Sequence, residues 1–229
     1  VVNYELFSDS LTEYFWARES LEENKTRLEK ISSQFNDAID ASSDPLFYEA
    51  IDECLLWGAG YNKTASLYRN NIAWLSKHFP TKVGVLAHFV ETLCALQGTD
   101  VNLNLLPSAF KMNSGYTKVY YLMAPSSFII YDSRVAAGLG LLFMKFVRKS
   151  AIYKGGQENP LGVRFLKQGK NPRDPNYIMD IGMKAIYPST ANSSLIHAES
   201  NILANWLLQA VEEKVNLQIT ESKFDLRQM

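Results

Sequence analysis

The chain has 229 residues, 47% of them hydrophobic, with 23 Lys and Arg against 24 Asp and Glu for a formal net charge of −1. That length and apolar content can bury a substantial core and define a globular protein. No apolar run reaches the roughly 18–20 residues that span a bilayer, and the acidic first residues are unlike a signal peptide, so a cytoplasmic protein with no membrane partner is expected.

The two cysteines, Cys54 and Cys94, fall within helical apolar patterns and are expected to be reduced core thiols. Neither belongs to a C-x-x-C or Cys/His cluster, and none of His78, His88 and His197 has a second histidine three to five residues away. No metal site and no cofactor are expected.

Ser10-Leu-Thr-Glu13 is a capping-box pattern, and the alternation of charged and apolar positions to about Phe35 predicts a surface helix. Asp44-Pro45 reads as a cap followed by an N1 proline, and Leu46, Ala50, Ile51, Cys54 and Leu55 form a core stripe that stops at Gly58 and Gly60. Leu67, Tyr68, Ile72 and Leu75 predict a helix over 63–78. Beyond Pro80, Leu86, Phe89, Val90, Leu93 and Leu96 predict another over 82–97. Gly98-Thr-Asp-Val-Asn102 reads as a turn before a short apolar element near 103–112.

A short helix is expected over 115–124, with Val119, Leu122 and Met123 inward and Lys118 at the edge of the core. Pro125 ends it, Phe128-Ile-Ile-Tyr131 reads as an extended buried connection, and Asp132 is the expected N-cap of a helix over 133–149. Val135, Leu139, Leu142, Phe143 and Phe146 give that helix its inward face. Gly138 and Gly140 each cost about 1 kcal/mol in a helix interior, and with Ala136 and Ala137 they predict the close approach of a neighbouring helix. From Ser150 to Pro175 the sequence is dense in Gly, Pro, Asn and basic residues, which predicts a long substrate-contacting loop.

Helical order resumes near 177–186. The last helix covers about 192–215, with Leu195, Ala198, Ile202, Leu203, Trp206, Leu207 and Ala210 inward. The expectation is an all-α fold of eight or nine helices in one domain, 1–229, with an acidic lobe (about 1–100) and a basic, motif-bearing lobe (about 101–229).

Charge is unevenly spread. Residues 1–60 hold 13 acidic and 4 basic side chains, whereas residues 111–173 hold 11 basic and 2 acidic ones. Lys145, Arg148, Lys149, Lys154, Arg164, Lys167, Lys170 and Arg173 are countered only by Glu158, which suits a polyanion such as DNA. The alternative is that the acidic first lobe neutralises this segment within the molecule.

Lys118 and Asp132 are the candidate chemical pair. Desolvation favours the neutral form of an amine, and a neutral lysine can attack a sugar carbon and form a Schiff base. A carboxylate nearby can stabilise positive charge on a ribose ring as a base departs. Structurally, the same residues read as a solvated helix lysine and a helix cap.

Thr117-Lys118-Val119 followed by Tyr131-Asp132-Ser133-Arg134-Val135 resembles the helix-hairpin-helix DNA glycosylases, particularly bacterial 8-oxoguanine glycosylase-like proteins. The resemblance implies that Lys118 is the Schiff-base nucleophile and Asp132 the catalytic aspartate of a base-excision glycosylase with AP lyase activity. Where familiar members carry a Pro-Gly-x-Gly turn, this chain has Asn113-Ser114-Gly115-Tyr116.

Under this reading Arg134, Lys145, Arg148, Lys149, Arg164, Lys167 and Arg173 are the expected DNA contacts. Arg134 sits in the first turn of a helix whose amides suit phosphate, or it pairs with Asp132. Trp57, Tyr61, Trp74, Tyr120, Tyr121 and Tyr131 are aromatic candidates for holding an extruded base, set against ordinary core packing. Two other readings stay open: a non-catalytic helical nucleic-acid-binding module, and a protein-interaction domain.

Overall fold

The structure, a computed structural model, describes residues 15–98, 101–149 and 193–217. Among them are seven α-helices, one 3-10 turn and one antiparallel pair of two-residue strands, so the protein is all-α. None of the described helices is long and apolar enough to cross a membrane. The expected loop 150–175, with Arg164, Lys167 and Arg173, and the expected helix 177–186 lie outside the described residues. The chain divides into two compact units, Val1–Cys94 with Lys118–Ala124, and Ala95–Thr117 with Pro125–Met229.

In the first unit, β1 (Phe15–Trp16) pairs with β2 (Glu19–Ser20) through a turn in which Ala17 and Arg18 have φ of 55° and 69°. Two successive left-handed residues match the twist of a tight hairpin but disfavour side chains, so the turn needs support. Buried Asn24 supplies it. Its Nδ2 lies 3.0 Å from the carbonyl oxygens of Trp16, Glu19 and Ser20, and its Oδ1 accepts from the Trp57 indole at 2.8 Å. The Trp16 indole donates to the Trp57 carbonyl at 3.2 Å, so the hairpin fixes the residue just before Gly58.

The first described helix, α1 (Leu21–Asp40), therefore starts later than the sequence pattern at Ser10 implied. Its capping box is Ser20-Leu-Glu-Glu23, where Ser20 Oγ accepts from the Glu23 amide at 3.3 Å and Glu23 Oε2 accepts from the Ser20 amide at 2.8 Å. Residues 15–20, expected to be helical, form the hairpin instead. Helix α2 (Asp44–Gly58) is capped by Ser43 rather than Asp44. The Asp44 carboxylate accepts from the amides of Gly84 and Leu86, each at 2.8 Å, and so satisfies the start of α4 (Val85–Leu96). Between them, α3 runs Ser66–His78.

The core of this unit is a file of rings. Phe35 of α1 meets Phe47 of α2 at 5.2 Å, Phe47 meets Phe89 of α4 at 5.8 Å, and Phe89 meets Tyr120 at 5.7 Å. Tyr120 belongs to α5 (Tyr116–Met123), and the Ser32 hydroxyl donates to the Leu122 carbonyl at 2.8 Å. These contacts hold the length of α5 that carries Lys118. Leu46 is 47% exposed, outside the core stripe expected for it, and Cys94 is exposed, so only Cys54 is a core thiol.

His88 of α4 is buried among the rings of Phe79 (5.1 Å), Phe89 (5.4 Å) and Trp74 (6.0 Å). Its Nε2 has no hydrogen-bond partner among the described residues. Burial lowers its pKa, Glu91 opposes that shift, and His78 adds to it. Because the unfolded chain then binds the proton more readily, the contribution of His88 to stability is complete above about pH 6.5 and is lost as the pH falls toward the lowered value. The urea midpoint should therefore drop between pH 7.5 and 5.5, and drop less in His88→Phe. Parallel pH dependences in the two proteins would exclude His88 as the source.

In the second unit, a 3-10 turn (Leu103–Leu105) precedes Asn113, whose Oδ1 accepts from the Gly115 and Tyr116 amides at 2.9 and 3.2 Å. This turn launches α5. After Pro125 the chain runs through Phe128–Tyr131 without regular secondary structure and enters α6 (Ser133–Lys149). The buried positions on α6 include Ala136, Leu139 and Gly140. Leu142 and Phe146, expected inward, are 62% and 55% exposed. Gly138 is exposed, with no atom within 4 Å of where a Cβ would stand, so close helix approach does not explain it.

Helix α7 (Ser194–Asn216) buries His197, Ala198, Asn201, Ile202, Ala204 and Asn205. Leu195, Leu203, Trp206 and Leu207, expected inward, are 50%, 47%, 36% and 41% exposed. The helix is turned relative to the apolar stripe because its polar side chains satisfy backbone groups of the 128–131 connector.

Candidate functional site

Lys118 is the third residue of α5, in a run from Gly115 to Tyr120 that is buried at every position. Lys118 is only 5% exposed, well below what a lysine ordinarily keeps. Its aliphatic stem lies against the last turn of α2, where a Cβ added to Gly58 would stand 2.9 Å from Lys118 Cδ and 3.3 Å from Cε. Gly58 is not at positive φ, unlike Gly60, Gly84 and Gly98. Its missing side chain therefore serves space rather than backbone conformation.

Cys54 lies one turn before Gly58 on α2. Burial pushes its thiol up to about 12, the nearby Lys118 charge acting in the opposite direction. At neutral pH this sulfur is protonated and a poor nucleophile.

Asp132 is the N-cap of α6. Its Oδ1 accepts from the amides of Arg134 and Val135 at 2.8 and 3.2 Å, and its Oδ2 lies 3.6 Å from Arg134 Nη1. Both expectations for this corner, a cap and an ion pair, hold together. The carboxylate keeps 18% exposure and the Arg134 side chain 53%.

The connector before Asp132 is gripped through its backbone. Tyr131, fully buried, donates its amide to Thr117 Oγ1 at 3.2 Å, and its carbonyl lies 3.3 Å from the same hydroxyl. His197 Nε2 is 3.2 Å from that carbonyl, and its ring meets the Tyr131 ring edge-on at 5.8 Å. Two residues earlier, Ile129 donates its amide to Asn205 Oδ1 at 2.8 Å and its carbonyl accepts from Asn201 Nδ2 at 3.2 Å.

In an extended chain, alternate residues aim their backbone groups to one side, while helix positions four apart share a face. His197, Asn201 and Asn205 thus take the place of a neighbouring strand. Thr117 immediately precedes Lys118, and Tyr131 immediately precedes Asp132.

Of the other expected site residues, Lys145 and Lys149 are exposed one turn apart on α6. The Arg148 side chain, like Arg164, Lys167 and Arg173, is outside the described residues. Trp57, Tyr120 and Tyr131 are core rings at 4%, 0% and 0% exposure, and Tyr61 is 37% exposed beneath the Arg27 guanidinium, 5.9 Å away. Among the described residues no group of three or more His, Cys, Asp and Glu side chains is placed to hold a metal ion.

Sequence reasoning missed Gly58, Thr117, His197, Asn201 and Asn205. A signal was present for three of them, since His197, Asn201 and Asn205 recur every fourth residue and so share one face of the helix.

No family model, curated protein or solved structure matches this chain. The site must be read from its own chemistry.

Proposed function

We propose that the protein is a DNA base-excision enzyme of the helix-hairpin-helix glycosylase kind, with AP lyase activity on an oxidised or otherwise damaged base. The observation that carries this reading is Lys118, a lysine of 5% exposure in a run of six buried residues, Gly115 to Tyr120. Lysine is seldom buried, and buried titratable groups concentrate where chemistry is done.

In the proposed reaction the Lys118 amine gives up its proton and attacks the deoxyribose anomeric carbon, and the base leaves with the bonding pair. Asp132 stabilises the positive charge that develops on the sugar. Loss of a proton and ring opening give the imine, from which β-elimination breaks the strand. Arg134, Lys145 and Lys149, with Arg148, Arg164, Lys167 and Arg173, hold the phosphates.

The test is covalent trapping. Wild-type protein incubated with abasic-site duplex and borohydride should give an adduct, and Lys118→Gln should lose it by on the order of 10⁴-fold or more. Absence of an adduct from wild-type protein overturns the enzymatic reading.

A second reading, a nucleic-acid-binding module without catalysis, draws on the engagement of the Asp132 carboxylate as cap and Arg134 partner. It also draws on Asn113-Ser114-Gly115-Tyr116 standing in place of the glycine hairpin. Salt-dependent DNA binding with no adduct, unchanged in Lys118→Gln, would favour it.

A further inference from the structure

We propose that His197 is a positioning residue for Asp132, acting through the Tyr131 carbonyl, and that this carbonyl contact is its contribution to the reaction. The proposal rests on the base-excision reading above. It concerns a residue that the sequence left without a role.

Hydrogen-bond capacity assigns the donor. A carbonyl only accepts, so the 3.2 Å contact requires the proton to be on His197 Nε2. Thr117 has a single hydroxyl proton, and its Oγ1 lies 3.3 Å from both the Tyr131 and the Ser114 carbonyl oxygens. One proton cannot serve both well. His197 is therefore the donor that fixes the Tyr131 carbonyl independently of how the threonine hydroxyl turns.

Orientation follows from burial. His197 is 1% exposed and Tyr131 is 0% exposed, with their rings at 90°. Neither can swing without displacing the other.

The Tyr131 carbonyl belongs to the peptide unit whose nitrogen is that of Asp132. Holding that oxygen fixes the plane from which the Asp132 side chain departs. The cap bonds to Arg134 and Val135 locate the carboxylate from its other side. Asn201 and Asn205 clamp Ile129 two residues upstream, so the connector is held at 129 and 131 while Asp132 itself retains partial exposure. The arrangement anchors the backbone and leaves the carboxylate accessible.

The test is single-turnover borohydride trapping on abasic-site DNA, with binding measured separately. His197→Ala should lower the trapping rate at saturating DNA by about 100-fold, the effect of misplacing a reacting group by about an ångström, with DNA affinity unchanged. His197→Gln places an amide N–H near the position of Nε2 and should restore most of the rate. His197→Asn, equally polar but too short to reach, should behave as alanine.

A rescued glutamine variant beside a slow asparagine variant supports the proposal, whether or not the alanine variant folds. Equal rates for glutamine and asparagine, or a wild-type rate in a folded alanine variant, overturn it while leaving the lysine chemistry intact. A wild-type protein that traps no adduct fails differently, because the underlying reading then falls and the role of His197 falls with it.

Discussion

Gly58→Ala is expected to destabilise the protein by about 1–2 kcal/mol while Lys118 is present, as overpacking of a filled interior does. The same change should stabilise it by about 0.5–1 kcal/mol once Lys118 is shortened to alanine, since glycine inside a helix ordinarily costs that much. The reversal of sign follows from one contact, the 2.9 Å approach of an added Cβ to Lys118 Cδ. Gly58 is the last residue of α2 and has no positive φ, so the backbone does not require glycine.

Urea unfolding of the two single variants and the double variant gives the coupling directly. A stabilising Gly58→Ala in the wild-type background would show that the lysine stem is not held against α2. The functional side of the cycle reads out in trapping. Gly58→Ala, which pushes the stem aside, should slow adduct formation by roughly 10–100-fold, with DNA affinity unaffected.

Much of the scaffold was legible because its helices are strongly periodic and sharply terminated. Pro45, Pro80 and Pro125 stand at or beside helix ends, and the predicted spans 82–97 and 133–149 correspond to Val85–Leu96 and Ser133–Lys149. The expected helix to about Phe35 did not foresee the hairpin at 15–20; the helix there begins at the second of two capping-box patterns ten residues apart, Ser20 to Glu23, and the first lies outside the described residues.

The inward face of α7 could not be read from hydropathy. The helix is apolar on most sides, and what turns it is the demand of a strandless connector for side-chain donors and acceptors. That demand comes from residues about 70 positions away in sequence, from Ile129 to Asn201 and Asn205. The same limit applies to the site. Lys118 and Asp132 stood out through a resemblance and through their places beside apolar helices, whereas Thr117 and His197 gain meaning only once Tyr131 has folded between them.

Asn205→Leu is expected to test that connector most severely. Leucine keeps the branching and heavy-atom count of asparagine, with two somewhat larger methyl groups in place of the amide atoms, but cannot accept the Ile129 amide, now held at 2.8 Å. Asn205 is 5% exposed, so water replaces the lost acceptor poorly. Leaving a largely buried N–H without a partner costs about 1–3 kcal/mol, and the extra bulk adds to it.

Asn201→Leu should cost less. Its bond to the Ile129 carbonyl is longer, at 3.2 Å, and a carbonyl deprived of one donor is the smaller loss. Urea unfolding gives the ranking, and amide exchange locates it: exchange at Ile129 should accelerate in Asn205→Leu well beyond the change at Tyr131, whose amide remains on Thr117. If the two leucine variants proved equally stable, with Ile129 exchange unchanged, the helix would not be standing in for a strand. The connector would then owe its extended form to the burial of Phe128 and Tyr131 alone.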